Sequence, residues 1–476
     1  MDLGRSSFSL FLSKTGMGIL MFGGILYFAR TLDATQMGIF FLFFAVQGLL
    51  SIPADLGLRS ALEKRLSEGG DLDEILGSAL ALKLGLLAVV GTVIFLAQGP
   101  INRYFGANLA MFLIITVILR ELSLFYIHAV RGELRVGETA PIEFTRRLTW
   151  VGIGAYLVST GYGVEGIVMA LICSSLVSLM WAYTKCNVGI GRPSRGHIES
   201  LFAFSKYDTV NSIGGHVYQW MDTAIIGFFL ASSFVSAYEI AWQVTLLVLM
   251  LSNSISLTLF PQISQWNASA STNQIESTIS TAIGFATFIS IPAIVGSAIY
   301  ATEILRYTFG PEYTIAATVL VVLMVEKLFQ SFNDIIGISV RAIDRPDLAA
   351  RATVVSIGIN LVLSPVLLLS IGLVGAALAT LLSWLVNTLL HLRYLKQHVT
   401  VQIPFRLVGW YALSSVLMGI TLAAVKSAVP VDGILILLVQ IALGAALYVG
   451  FSTVIPEVRN RIIIPSVRMF DLPVGR

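Results

Sequence analysis

Apolar stretches about twenty residues long recur along almost the whole chain, separated by short polar breaks, and they restrict the fold to a bundle of membrane-crossing helices. A hydrocarbon layer about 30 Å thick holds no water to satisfy exposed backbone groups, so each crossing needs a helix of roughly 20 apolar residues. Cutting the sequence at its polar breaks predicts fourteen such helices, near 9–30, 34–54, 75–98, 108–130, 144–160, 163–184, 200–230, 235–262, 279–302, 315–340, 349–370, 372–392, 405–427 and 432–455. The expected fold class is an all-α polytopic membrane protein. The first span has no small-residue cleavage site and continues past Gly18, Gly23 and Gly24 to Tyr27, so it is expected to stay in the membrane.

Composition agrees. With 56% hydrophobic and 12% charged residues, the 476-residue chain is not a soluble enzyme, a secreted disulfide scaffold or a disordered protein. A net charge of +3 argues against a nucleic-acid partner, and Cys173 and Cys186, in or beside one apolar segment, suggest no redox chemistry, metal or cofactor.

Lysine and arginine fall unevenly between the two faces. The N-terminus, the loops after even-numbered helices and the C-tail carry twenty-one of them, among them Arg59, Arg131, Arg135, Lys185, Arg341, Arg345 and Arg393. The opposite loops hold only Arg30, Arg103, Arg306 and Lys426. Positive loops resist translocation, so both termini are expected in the cytoplasm, on a multi-pass protein of the cytoplasmic membrane.

An internal repeat organises the chain. Gly163, Gly166, Ala170, Ser174 and Leu176 recur as Gly372, Gly375, Ala379, Ser383 and Leu385, an offset of 209. Val130, Arg131 and Arg135 recur as Val340, Arg341 and Arg345 at 210, and Ser13-Lys14 as Ser205-Lys206 at 192. Six helices separate each pair, and an even number keeps the halves in one orientation. The expectation is two parallel six-helix lobes, 1–196 and 197–398, around a central cavity, followed by two additional helices at 399–456 and a cytoplasmic tail at 457–476.

Ionisable residues inside spans cost about 2.5–3.5 kcal/mol each at the bilayer centre and are the default functional candidates. Five basic residues remain after the loops are counted: Lys14, Lys83, Arg120, Lys206 and Lys327. They are the expected substrate-binding set, weighted toward the cytoplasmic half and the middle, where they would attract an anionic group. Snorkelling to the interface competes for Lys14 and Lys206. Asp208, Asn211, Gln219 and Asp222 share one face of the seventh helix at i, i+3, i+11 and i+14, and with Glu239, Glu326 and Asp334 they are the expected cavity-lining or coupling groups. Interhelical hydrogen bonding is the competing role for each amide. His128 and His216 could titrate with a proton gradient, or simply satisfy a hydrogen bond. No catalytic triad, metal-ligand set or phosphate-binding glycine loop is spaced convincingly, which argues against an enzyme.

Several short motifs then resemble a known family. These are Ala54-Asp55-Leu56-Gly57-Leu58, Phe309-Gly310-Pro311-Glu312-Tyr313, Arg345-Pro346, Ile359-Asn360-Leu361, and Gly372-Leu373-Val374-Gly375-Ala376-Ala377 leading to Ala379-Thr380. With the six-plus-six arrangement they resemble the Wzx-like polysaccharide flippases of the multidrug/oligosaccharidyl-lipid/polysaccharide exporter superfamily. The resemblance implies a V-shaped pair of lobes that alternates access to carry a polyprenyl-(pyro)phosphate-linked oligosaccharide between leaflets, acting as a monomer. The lipid tail would stay in the bilayer, along the last two helices. Related lipid II flippases use several cavity arginines near the chain start; this sequence has Lys14 there and then Arg59. A multidrug or cation antiporter of the same superfamily is the alternative, kept open by Asp222 and Glu239. The driving force, whether a proton, a cation or the membrane potential, stays open as well.

Overall fold

The computed structural model describes residues 3–269, 271–401 and 403–459, with side chains from residue 16 onward except at 206–213 and a few further positions. Among these residues all regular structure is helical. Fourteen helices of 21 residues or more follow one another: α1 Leu3–Thr31, α2 Ala34–Asp55, α3 Leu72–Leu96, α4 Ala110–Gly132, α5 Thr139–Ser159, α6 Gly163–Lys185, α7 Arg195–Phe229, α8 Ser232–Ala268, α9 Thr272–Ile304, α10 Ala317–Ala342, α11 Pro346–Ile371, α12 Leu373–Leu395, α13 Phe405–Ala428 and α14 Ile434–Val454. Two short helices, Leu58–Glu68 and Gln98–Phe105, occupy stretches read as loops from the sequence. Among the described residues eleven of the fourteen are both long and apolar enough to cross a bilayer, and the described part of α1, Gly16–Thr31, is a shorter apolar helix.

The chain forms two compact units, Met1–Ser236 and Ala237–Arg476. α7 belongs to the first, whereas the lobe boundary read from the repeat, 196/197, falls before it.

In the first unit small residues set how closely helices approach, as expected where lipid removes most of the hydrophobic driving force between them. A Cβ at Gly48 of α2 would overlap the Trp220 indole of α7, and one at Gly227 of α7 would overlap Leu42. Trp220 also meets Phe44 edge-on at 5.1 Å, and the Tyr104 hydroxyl donates to Ala224 O at 2.8 Å. Phe28 of α1 and Phe40 of α2 both pack on Trp150 of α5, with ring centroids 5.3 and 5.8 Å away.

In the second unit α13 and α14 pack on α9 through buried polar contacts. Tyr300 donates to Gln440 Oε1 at 2.8 Å, Gln440 Nε2 donates to Val429 O at 2.8 Å, and Tyr448 donates to Phe288 O at 2.8 Å. Such bonds count in a medium without water.

The repeat is visible in the backbone itself. After α4, Leu134 takes φ 61°, Leu134 N donates to Arg131 O at 2.9 Å and Arg135 N to Val130 O at 3.3 Å. After α10, Asp344 takes φ 63°, Asp344 N donates to Arg341 O at 3.1 Å and Arg345 N to Val340 O at 3.2 Å. Both turns close their helix by a left-handed residue and paired backward bonds. Gly166 and Gly375 also match in role: a Cβ would stand 2.9 Å from Leu157 Cβ at the first and overlap Leu367 O at the second. Gly375→Leu should therefore cost more than Gly166→Leu, about 1–3 kcal/mol or above, because a carbonyl gives way less easily than a side chain. Thermal unfolding of the two variants in detergent compares them.

The repeated arginines fasten the turns they follow. Arg135 binds Glu138 through Nε at 2.8 Å and Nη2 at 2.8 Å, Glu133 at 2.7 Å and the Lys185 carbonyl at 2.8 Å. Arg345 binds Asp347 at 3.1 Å and His398 Nε2 at 2.9 Å. Hydrogen bonds from Arg135, then from Lys185, hold the Glu138 carboxyl down at about 2, from an ordinary value of 4.5. A depressed folded-state value contributes stability that is complete above the ordinary value and fades as pH falls from about 4.5 toward 2. Glu138→Gln should remove part of the loss of thermal stability between pH 5 and 3; an unchanged acid profile would show that this staple does not matter.

Candidate functional site

In the first unit the chemistry begins with a break in α2. Pro53 removes one backbone donor, Leu56 and Gly57 take φ 46° and 74°, and the chain restarts as the helix Leu58–Glu68. The break leaves the Ala54 carbonyl and the Asp55 carboxylate facing inward. Lys83 of α3, with none of its side chain exposed, donates to Ala54 O at 3.0 Å, Asp55 Oδ1 at 2.8 Å and Glu121 Oε2 at 2.7 Å. Ser51 donates its hydroxyl to the other oxygen of Glu121. Arg59 Nε lies 3.0 Å from Asp55 Oδ1. Two carboxylates and two cations thus balance one another.

Two further guanidinium groups have no such balance. Arg120, beside Glu121 on α4, donates to the Gln47 amide oxygen at 3.3 Å and lies 5.9 Å from the centre of the Phe44 ring. Arg146 of α5 buries its Nε without a hydrogen-bond partner among the described residues, and it is close enough to Arg120 for their charges to interact. Neither has a carboxylate within ion-pair distance among the described residues; Glu143, paired with Arg131 at 2.6 Å, acts on Arg146, and Glu121 on Arg120, only from farther off. Excess positive charge inside a membrane helix bundle attracts an anion.

The second unit holds its own buried charges. Lys327 Nζ lies 2.8 Å from Glu326 Oε2, donates to Gln330 Oε1 at 2.9 Å and sits 3.4 Å from the centre of the Trp242 ring. Both members of this pair are fully buried. Asp334 Oδ2 accepts from the Ser252 hydroxyl at 3.2 Å. Glu239 is buried as well, and His391 Nδ1 donates to Asn387 O at 2.9 Å.

Of the residues singled out from sequence, Lys83 and Arg120 come together on adjoining helices of the first unit, and Glu326 with Lys327 in the second. On α7, Gln219 is exposed and Asp222 buried. Lys14, Lys206, Asp208, Asn211 and His216 lie outside the residues whose side chains are described. His128 pairs with Glu63 at 2.7 Å, and this contact pulls the Glu63 carboxyl below its ordinary value. Burial pushes the Cys186 thiol up to about 11, which keeps it protonated. Sequence reading missed Asp55 and Arg59 as partners, although Asp55 lay in the Ala-Asp-Leu-Gly motif. It grouped Arg146 with the loop cations although that residue lies two positions inside the span read at 144–160; the helix itself begins earlier still, at Thr139.

A family described as "Polysaccharide biosynthesis protein" matches residues 27–318, more than half of the chain. The chain belongs to that family. A second family, "Lipid II flippase MurJ", matches residues 208–444. Among curated relatives, the "Probable low-salt glycan biosynthesis flippase Agl15" of Haloferax volcanii is 43% identical over 99% of this chain and 100% of its own. The "Probable flippase AglR" of the same organism is 29% identical over 90% of each chain. The fold is that of the exporter superfamily. A structure of the lipid II flippase MurJ in an inward closed conformation matches with TM-score 0.79 at 18% identity, covering 94% of this chain and 98% of that one. An inward-facing multidrug MATE transporter of the same superfamily matches with TM-score 0.62 at 15% identity, over 82% of this chain and 99% of that one. Relatives that match end to end are thus named flippases, while the likeness to a multidrug transporter is one of fold. This multi-pass membrane protein groups with the Wzx-like flippases rather than with the antiporters.

Proposed function

We propose that the chain carries the phosphate-linked headgroup of a polyprenyl-(pyro)phosphate oligosaccharide across the cytoplasmic membrane by alternating access, for assembly of a surface glycan. The observation that carries the proposal is the pair of guanidinium groups in the first unit, Arg120 and Arg146, which lack carboxylate partners among the described residues and are held beside a balanced Lys83–Asp55–Glu121–Arg59 cluster. Guanidinium forks match phosphate oxygens in pairs and stay charged when buried. A drug-cation carrier would need the opposite sign there. Arg120 is the first contact for the phosphate, with Arg146 and Arg59 beside it, and Lys14, Lys206 and Lys327 remain candidates for other stages of passage.

On this reading all fourteen long helices cross the membrane and both termini lie in the cytoplasm. Asp208, Asn211, Gln219, Asp222, Glu239, Glu326 and Asp334 line the path or couple it to a proton or cation, and the protein works as a monomer. The test uses the full chain in vesicles holding a fluorescent polyprenyl-diphosphate-linked sugar, with a membrane-impermeant quencher reporting the outer leaflet. Transport predicts label crossing well above the rate in empty vesicles. An equal rate, with efflux of a cationic dye instead, would favour the antiporter.

A further inference from the structure

An ammonium group has three N–H bonds, and the structure gives each of those on Lys83 an acceptor: Ala54 O at 3.0 Å, Asp55 Oδ1 at 2.8 Å and Glu121 Oε2 at 2.7 Å. A phosphate arriving at Lys83 must displace one of them. If it displaces a carboxylate, that group is left buried and uncompensated, which a bilayer penalises heavily. Lys83 is therefore poorly placed to take substrate.

The three acceptors show what it does instead. Ala54 and Asp55 end α2, and Glu121 lies in the middle of α4, so Lys83 ties these helices where Leu56 and Gly57 turn the chain. Each tie leads on to an arginine. Asp55 holds Arg59 through the same oxygen, at 3.0 Å, and Glu121 adjoins Arg120 in sequence. The second unit shows that the helix seam alone does not need charge. The position 210 residues after Glu121 is Ser331, and it meets Ser290 of α9 hydroxyl to hydroxyl at 3.3 Å.

We infer that Lys83 is a positioning residue, which fixes Arg59 and Arg120 for the phosphate through Asp55 and Glu121 without binding the phosphate itself. The inference rests on the phosphate-carrier reading above.

Two measurements on the reconstituted full chain test it: binding of inorganic pyrophosphate, and the turnover and KM of headgroup transport. The variant Lys83→Met with Glu121→Leu removes one charge of each sign and leaves the Asp55–Arg59 pair intact. It should bind pyrophosphate within about threefold of the unaltered chain and keep KM within about threefold, while kcat falls about tenfold. Lys83→Arg, which retains the charge, should fold normally, bind pyrophosphate equally well and recover most of the turnover. Arg120→Gln is the comparator, with pyrophosphate binding weakened more than about tenfold. If the double variant or Lys83→Arg weakens pyrophosphate binding as much as Arg120→Gln does, Lys83 is a phosphate ligand and the inference fails. Unchanged kcat in the double variant overturns it equally. A flat pyrophosphate titration by the unaltered chain sinks the phosphate-carrier reading itself, a result distinct from either.

Discussion

Lys83→Met alone is expected to cost about 3–5 kcal/mol of stability, enough to lose most folded protein, because it leaves the two buried carboxylates of Asp55 and Glu121 with one cation, Arg59, between them. Arg59 still pairs with Asp55, so the penalty centres on Glu121, whose remaining hydrogen-bond partner among the described residues is the Ser51 hydroxyl. Removing Glu121 together with Lys83 should restore most of the stability, since a balanced pair can often be replaced by apolar groups of similar volume at little cost. The check is a double-mutant cycle on thermal unfolding in detergent. Strong non-additivity supports a coupled buried pair. Additive losses would mean that the two side chains act independently.

The second large effect concerns transport. Arg120→Gln removes a guanidinium that the fold holds with an amide and an aromatic ring in place of a carboxylate, so its folding penalty should be small. Losing one charge-assisted contact to phosphate should remove about 2–4 kcal/mol of substrate interaction, a fall in kcat/KM of roughly thirty- to a thousandfold. Arg120→Lys should recover only part of this, because an ammonium offers no paired fork. Initial rates over a range of substrate concentrations separate these outcomes from a loss of folded protein.

Much of the architecture could be read from the residues alone. Spans recur with a length set by the bilayer, and a helix satisfies its own backbone, so placing a span requires no knowledge of its neighbours. The repeated Val-Arg-x-x-x-Arg turn was readable for the same reason: the turns after α4 and α10 are local, and they match bond for bond. The site was less accessible. Lys83, Arg120 and Lys327 stood out as charges in apolar segments, but their partners lie far along the chain: Asp55 is 28 residues from Lys83 and Glu121 is 38. Nothing in a single sequence says which carboxylate a buried ammonium will find. Sequence reading therefore gave Lys83 and Arg120 the same substrate role, which the proposal divides: Lys83 positions, and Arg120 with Arg146 binds. Arg146, only two residues inside the span read at 144–160, passes for a loop cation at its end, whereas the helix reaches back to Thr139. The short helix Leu58–Glu68 was missed because only 11 residues follow the left-handed turn at Leu56 and Gly57, too few to show a span.

The central claim is that guanidinium groups without carboxylate partners in the first unit hold the phosphate of a lipid-linked glycan as it crosses. Vesicles containing the full chain with both Arg120→Gln and Arg146→Gln test it most directly, assayed beside the unaltered protein with the same labelled polyprenyl-diphosphate sugar. The account predicts that the folded double variant moves the label no faster than protein-free vesicles do. Crossing at the unaltered rate by a well-folded double variant would contradict it.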